Sequence, residues 1–163
     1  MQIYKKLYKM KILIKLMFCC GIAALFAGCC ACRRYQKQNR KPLVGTEWQL
    51  IQLGGRNVTP QEGKFTVQFG ADGTLSGVGS CNRLTGRYEE SANRTLKIGP
   101  VGMTMMMCPS DMDTEQALGR ALEETDHYDM DGPMLLLLSD GELRAVFQAK
   151  LAATEQPSRK KKK

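Results

Sequence analysis

The chain has 163 residues, enough for one domain with extended ends, and a formal charge of +8. That charge is unevenly placed. Residues 1–42 hold ten Lys or Arg and no acid, residues 151–163 hold five basic residues against Glu155, and residues 43–150 carry nine basic and fifteen acidic residues, a net of −6. The foldable part is acidic, which argues against nucleic acid as a partner. With one histidine, His127, and no close Cys or His pair in the domain, it also argues against a zinc site.

The N-terminus reads as an address. Lys5, Lys6, Lys9, Lys11 and Lys15 form a positive region ahead of an apolar run of eleven residues, Leu16 to Phe26. As a helix that run spans roughly 16 Å, too short for a bilayer core of about 30 Å. Leu25-Phe26-Ala27-Gly28-Cys29 resembles a bacterial lipobox, with small residues before the cysteine and Phe26 where Leu is usual. The resemblance implies that residues 1–28 are a signal peptide and that Cys29 is lipidated at the mature N-terminus. Several acyl chains at about 0.8 kcal/mol per methylene would then hold the chain on a membrane. The place implied is the bacterial cell envelope, on the periplasmic side of the outer membrane. Residues 29–42 would then be the lipidated cysteine followed by a polar, basic tether.

Residues 43–150 read as a β domain. Thr46 to Leu53 alternates as a first strand, with Trp48 and Leu50 on one face, and Gly54-Gly55-Arg56-Asn57 turns it. Lys64 to Phe69 points Phe65, Val67 and Phe69 inward; Asp72-Gly73 is a hairpin signal, and Thr74 to Ser80 returns as a strand. Gly77 and Gly79 leave a flat strip that a backbone or a bulky ring can approach closely. Arg83-Leu84 is the expected bend and Gly86 to Glu89 a further strand. Ser91 to Arg94 turns into Thr95 to Ile98. Val101 to Cys108 reads as a strand with Met103, Met105 and Met107 on one face and Thr104, Met106 and Cys108 on the other. Its thioethers and thiolate suit Cu(I), but splitting them across faces argues for packing on both, methionine serving as gap filler. Ser110, with Asp113 three residues on, predicts a helix start. The helix runs to about Asp126 with Met112, Leu118, Ala121, Leu122 and Thr125 on its apolar stripe. Met134 to Ser139 and Glu142 to Ala149 close the domain as a hairpin about Asp140-Gly141, and continuous Leu135 to Leu138 suggests burial on both faces. Residues 151–163 read as a disordered basic tail. The fold class expected is mainly β with one helix (α+β): a small, largely antiparallel, barrel-like sheet with a helix inserted before the last strands.

In that order the residues resemble the META domain family, the HslJ-like small envelope lipoproteins. The resemblance is carried by Trp48 in the first strand, by Cys81-Asn82 with Gly86 and Tyr88 after it, and by Thr104-x-Met106-x-Cys108 before the helix. Ser80 stands where the family usually has glycine. The resemblance implies a small envelope β domain, linked in some members to heat shock, novobiocin tolerance or virulence, with no established catalytic residues.

Cys81 and Cys108 are the candidate disulfide, since two domain cysteines in an oxidising compartment tend to bond. A Cys81–His127 nucleophile pair lacks an orienting third group. The chain therefore reads as non-enzymatic, without a catalytic residue, metal or cofactor. It reads as an envelope-anchored lipoprotein acting in stress response or drug tolerance through a protein partner. A second reading is a small-ligand or metal carrier using the barrel interior.

Overall fold

The computed structural model describes residues 34–150, so Cys29, the lipobox and the basic tail lie outside the described residues. Residues 34–39, within the tether, form a short exposed helical segment that is a unit separate from the domain.

The domain is a ring of antiparallel strands. In chain order these are β1 (Glu47–Leu53), β2 (Arg56–Asn57), β3 (Thr66–Phe69), β4 (Thr74–Val78), β5 (Arg83–Ser91), β6 (Thr95–Ile98), β7 (Gly102–Met103), β8 (His127–Asp131), β9 (Met134–Ser139) and β10 (Glu142–Ala149). The sheet order is β10-β9-β8-β6-β5-β4-β3-β1-β2, and β10 also pairs with β1, which closes the ring. The two-residue β7 lies off this path, on β5. Closure needs strong local twist, and two irregularities in the ladders supply it: one in β1 against β10 between Leu50 and Gln52, the other in β10 against β9 between Leu143 and Ala145.

The ring is uneven. β9 and β10 share six paired positions, whereas β6 and β8 meet at one, Thr95 with His127. Side chains bridge the open stretch: the Tyr128 hydroxyl donates to the Glu90 carboxylate, and Arg94 pairs with Asp129. Burial, with the Glu90 carboxylate beside it, pushes the Tyr128 hydroxyl up to about 12.

The helix α1 (Met112–Glu123) packs against β1, β10 and β6, strands from different sides of the ring, so it plugs one end. Its Leu118 and Leu122 complete an interior already filled by Trp48, Phe65, Phe69 and Phe147. Trp48 is wholly buried and its indole Nε1–H donates to the Leu43 carbonyl at 3.1 Å, so the segment before β1 is tied over the core.

The α+β class, the closing hairpin and the strand over Thr95–Ile98 match the sequence reading, and several boundaries move. Phe65 is buried where expected but has φ +51, so β3 begins at Thr66. The bend expected at Arg83-Leu84 lies earlier, at residues 79–82, and Arg83 opens the nine-residue β5. β8 stands where no strand was expected, because His127-Tyr128-Asp129-Met130-Asp131 puts three polar side chains on a strand that β9 pairs along its whole length. Leu135 and Leu137 are buried while Leu136 and Leu138 are half-buried, so β9 alternates after all. The helix starts later than Ser110: its N-cap is Asp111, in the left-handed region at φ +66, with no side-chain cap. Ser110 is engaged elsewhere, its hydroxyl on Asp111 and its carbonyl accepting from Ser80.

The methionine run is the largest correction. Beyond the two residues of β7 it is irregular, and Met105, Met106 and Met107 are exposed, not packed in a core.

Gly77 fits the close-approach reading directly. A Cβ there would stand 2.3 Å from the Thr66 carbonyl oxygen across the β3–β4 ladder, a contact that only backbone movement relieves. Gly77→Ala should therefore lower unfolding stability by about 2 kcal/mol or more, read as a lower urea midpoint at unchanged slope. A midpoint equal to wild type would show that this ladder yields freely.

Candidate functional site

The family-type residues converge where the 79–82 turn, the 104–110 loop and α1 meet. The turn points three consecutive backbone N–H groups, of Ser80, Cys81 and Asn82, to one side. Glu115, in the first turns of α1 and only 4% exposed, presents its carboxylate to them. Its Oε2 accepts from Ser80 N at 2.7 Å, Cys81 N at 3.3 Å and Asn82 N at 3.1 Å, and its Oε1 accepts from Asn82 Nδ2 at 2.7 Å. A Cβ at position 79 would lie 2.4 Å from Oε2, so Gly79 makes room for a carboxylate and not, as the sequence suggested, for a backbone or ring.

Burial by itself would raise the Glu115 carboxyl. The hydrogen bonds from the Asn82 side chain and from the backbone of Asn82, Ser80 and Cys81 outweigh it, and the group lies below its ordinary value of 4.5.

Asn82 is the hub of the loop contacts. Its Oδ1 accepts from the Thr104 hydroxyl at 2.8 Å and from Met106 N at 2.7 Å, while its Nδ2 also donates to the Met106 carbonyl at 3.1 Å. Those partners set the amide orientation. Thr104 accepts in turn from Arg83 N at 3.0 Å, and Arg83 O accepts from Thr104 N at 3.1 Å. Next to this network the Cys81 and Cys108 sulfurs are bonded, with their Cα atoms 5.8 Å apart. Ser80, at the family's glycine position, uses its hydroxyl to donate to the Ser110 carbonyl at 2.8 Å, adding a tie between turn and loop.

Of the residues singled out from sequence, Cys81, Asn82, Thr104, Met106 and Cys108 are thus brought together. Met106 takes part through its backbone. Trp48, Gly86 and Tyr88 stand apart from this cluster and serve the core. Gly86 pairs with Leu75, and the Tyr88 hydroxyl donates to the Gly70 carbonyl at 2.8 Å while its ring meets Phe69 edge-on at 5.0 Å. Cys81 is in a disulfide and His127 sits on β8, so neither the bond nor the register makes them a nucleophile and base. Sequence reasoning missed Glu115, which was absent from both faces assigned to α1. The one available signal was the Gly-Ser-Cys-Asn turn, whose successive N–H groups form a nest for an anion.

An open groove of about 690 Å³ crosses the outer surface over β3, β4, β5 and β7, with Gln68, Ser76, Arg83, Thr85 and Thr104 among its lining. The barrel interior is taken up by the protein's own side chains.

A closed antiparallel barrel, plugged by one helix and clamped there by a disulfide and a buried carboxylate, defines the class. The META domain model matches residues 41–151, and the chain belongs to the META domain family. No curated protein matches it. Among solved structures it is similar to a protein from Burkholderia xenovorans determined by NMR, at 27% identity and a TM-score of 0.53. That match covers 68% of this chain and 85% of the other. A second protein determined by NMR shares the fold at 24% identity and a TM-score of 0.53, covering 66% of this chain and 91% of the other.

Glu115→Gln replaces an acceptor-only group with an amide, so at least one of the converging N–H groups loses its partner. It should cost about 3 kcal/mol at neutral pH. A carboxyl lowered by folding adds stability above its unfolded value near 4.5 and loses that contribution as pH falls through the folded value. The gap between wild type and variant in urea unfolding should therefore shrink on acidification below that range; a gap independent of pH would contradict the charged role. Replacing Cys81 and Cys108 together by Ser reopens a segment of sequence separation 27 and should cost roughly 3–4 kcal/mol, read in the same assay without reductant.

Proposed function

We propose that this protein is a non-enzymatic, lipid-anchored envelope protein. In this reading its META domain engages a protein partner in envelope stress response or drug tolerance. The observation that carries it is how the conspicuous residues are spent. Glu115, Asn82, Thr104 and the two cysteines satisfy one another, and Trp48 and Tyr88 satisfy backbone carbonyls within the core. A filled barrel favours display of a surface over carriage of a ligand inside. The outer groove over β3, β4 and β5 is a face with exposed polar side chains to meet a partner, Ser76 and Thr85 among them. The anchor rests on the lipobox-like Leu25 to Cys29 and the basic stretch before it.

A photo-crosslinking residue placed at Thr85 in cells should trap a discrete adduct that the same residue at Gln116, on the outer side of α1, does not. Cys29→Ala should release the protein from the membrane fraction and remove that adduct. Equal adducts at both positions would reject the groove as the docking face. Retention of the Cys29→Ala protein on membranes would reject the lipid anchor.

A further inference from the structure

We infer that Met105 and Met107 form a binding site for a soft monovalent metal ion, of the Cu(I) or Ag(I) class, on the outside of the domain. The inference starts from how the loop is held. Residues 104, 106 and 108 are each fastened to the 79–82 turn: Thr104 by its hydroxyl to Asn82, Met106 by its N–H and C=O to the same amide, and Cys108 by the disulfide. The side chains of all three methionines stand in solvent, Met105 and Met107 most fully at 99% and 91% exposed and Met106 at 53%. Met105 and Met107 are two residues apart, so their Cα atoms stand within about 7 Å of each other in any backbone conformation. Each is unbranched with rotatable bonds, so both thioether sulfurs can reach one ion between them.

The chemistry is specific to the residue type. Three of the six large apolar side chains exposed among the described residues, Met105, Met106 and Met107, fall in this loop, a fourth, Met112, opens α1, and all four are thioethers. Thioethers are soft donors that suit Cu(I) and leave harder or borderline cations unbound. A backbone already fixed by Asn82 and the disulfide lowers the ordering cost of binding. Exposed Asp111 and Asp113 follow closely and favour a cation near the loop. A thioether has no proton to release, so occupancy should not follow the acid titration that governs His, Cys or carboxylate sites.

The test is a silver titration of the full chain in detergent, free of chloride. The N-terminal thiols are alkylated first without reductant, so that the Cys81–Cys108 bond is retained. Methyl-labelled methionine NMR reads each side chain. Ag(I) should shift the Met105 and Met107 methyl resonances saturably, at about pH 5 as at about pH 7, and leave half-buried Met103 and Met130 in place. The double variant Met105→Leu, Met107→Leu keeps the apolar bulk and should lose the saturable shift with the rest of the spectrum unchanged. No shift of these two methyls in the wild-type protein, the same shifts with Zn(II), or binding that vanishes at the lower pH would each overturn the assignment.

Discussion

The fold depends on one buried carboxylate. Glu115 comes from the helix, and its two oxygens accept four hydrogen bonds from a turn between two strands. Three converging N–H groups left without it would be buried donors lacking a partner, at a cost larger than an ordinary hydrogen bond returns. The helix has no side-chain cap of its own, since Asp111 is turned into the left-handed region and makes none. The turn and the helix start therefore complete each other. The helix is placed by an ion–amide contact, and its apolar face then fills the end of the barrel.

The same contact organises the loop. Glu115 holds Asn82, and Asn82 holds Thr104 and Met106, so the carboxylate acts at second hand on a segment it does not touch. The disulfide lies at the end of this chain of bonds and closes a segment whose geometry the hydrogen bonds already define. The loop is tied at residues 104, 106 and 108, so Met105 and Met107 are exposed on a backbone that is held in place.

Much of this was legible in the sequence. Alternating patterns at Thr46–Leu53 and Thr95–Ile98, and the Asp-Gly signals at residues 72–73 and 140–141, mark strands and hairpins by local chemistry, and local chemistry decided them. The Cys81-Asn82 and Thr-x-Met-x-Cys runs marked the site. Tertiary effects hid the rest. β8 is polar in composition and exists because β9 offers it a full ladder. Glu115 looks like one more helix acid until the turn that binds it is in place. The methionines are apolar by type, which predicts burial, yet their loop is anchored through backbone and hydroxyl groups that carry no hydropathy signal.

The ring is therefore strong at one place and thin at another. Around the 79–82 turn, a covalent bond, a shared carboxylate and an amide hub act within a few residues of one another. Between β6 and β8 there is one residue pair, helped by the Tyr128–Glu90 hydrogen bond and by the Arg94–Asp129 ion pair, whose exposure leaves it worth little. Local opening follows the lowest density of such contacts, so the seam is where the barrel loosens first. The methionine loop and the floor of the outer groove both border the strong part: Arg83 and Thr104 line the groove and also belong to the clamp. Any molecule that binds on either surface meets a face already set in shape, and the ordering cost of binding there is met by the fold and not by the ligand.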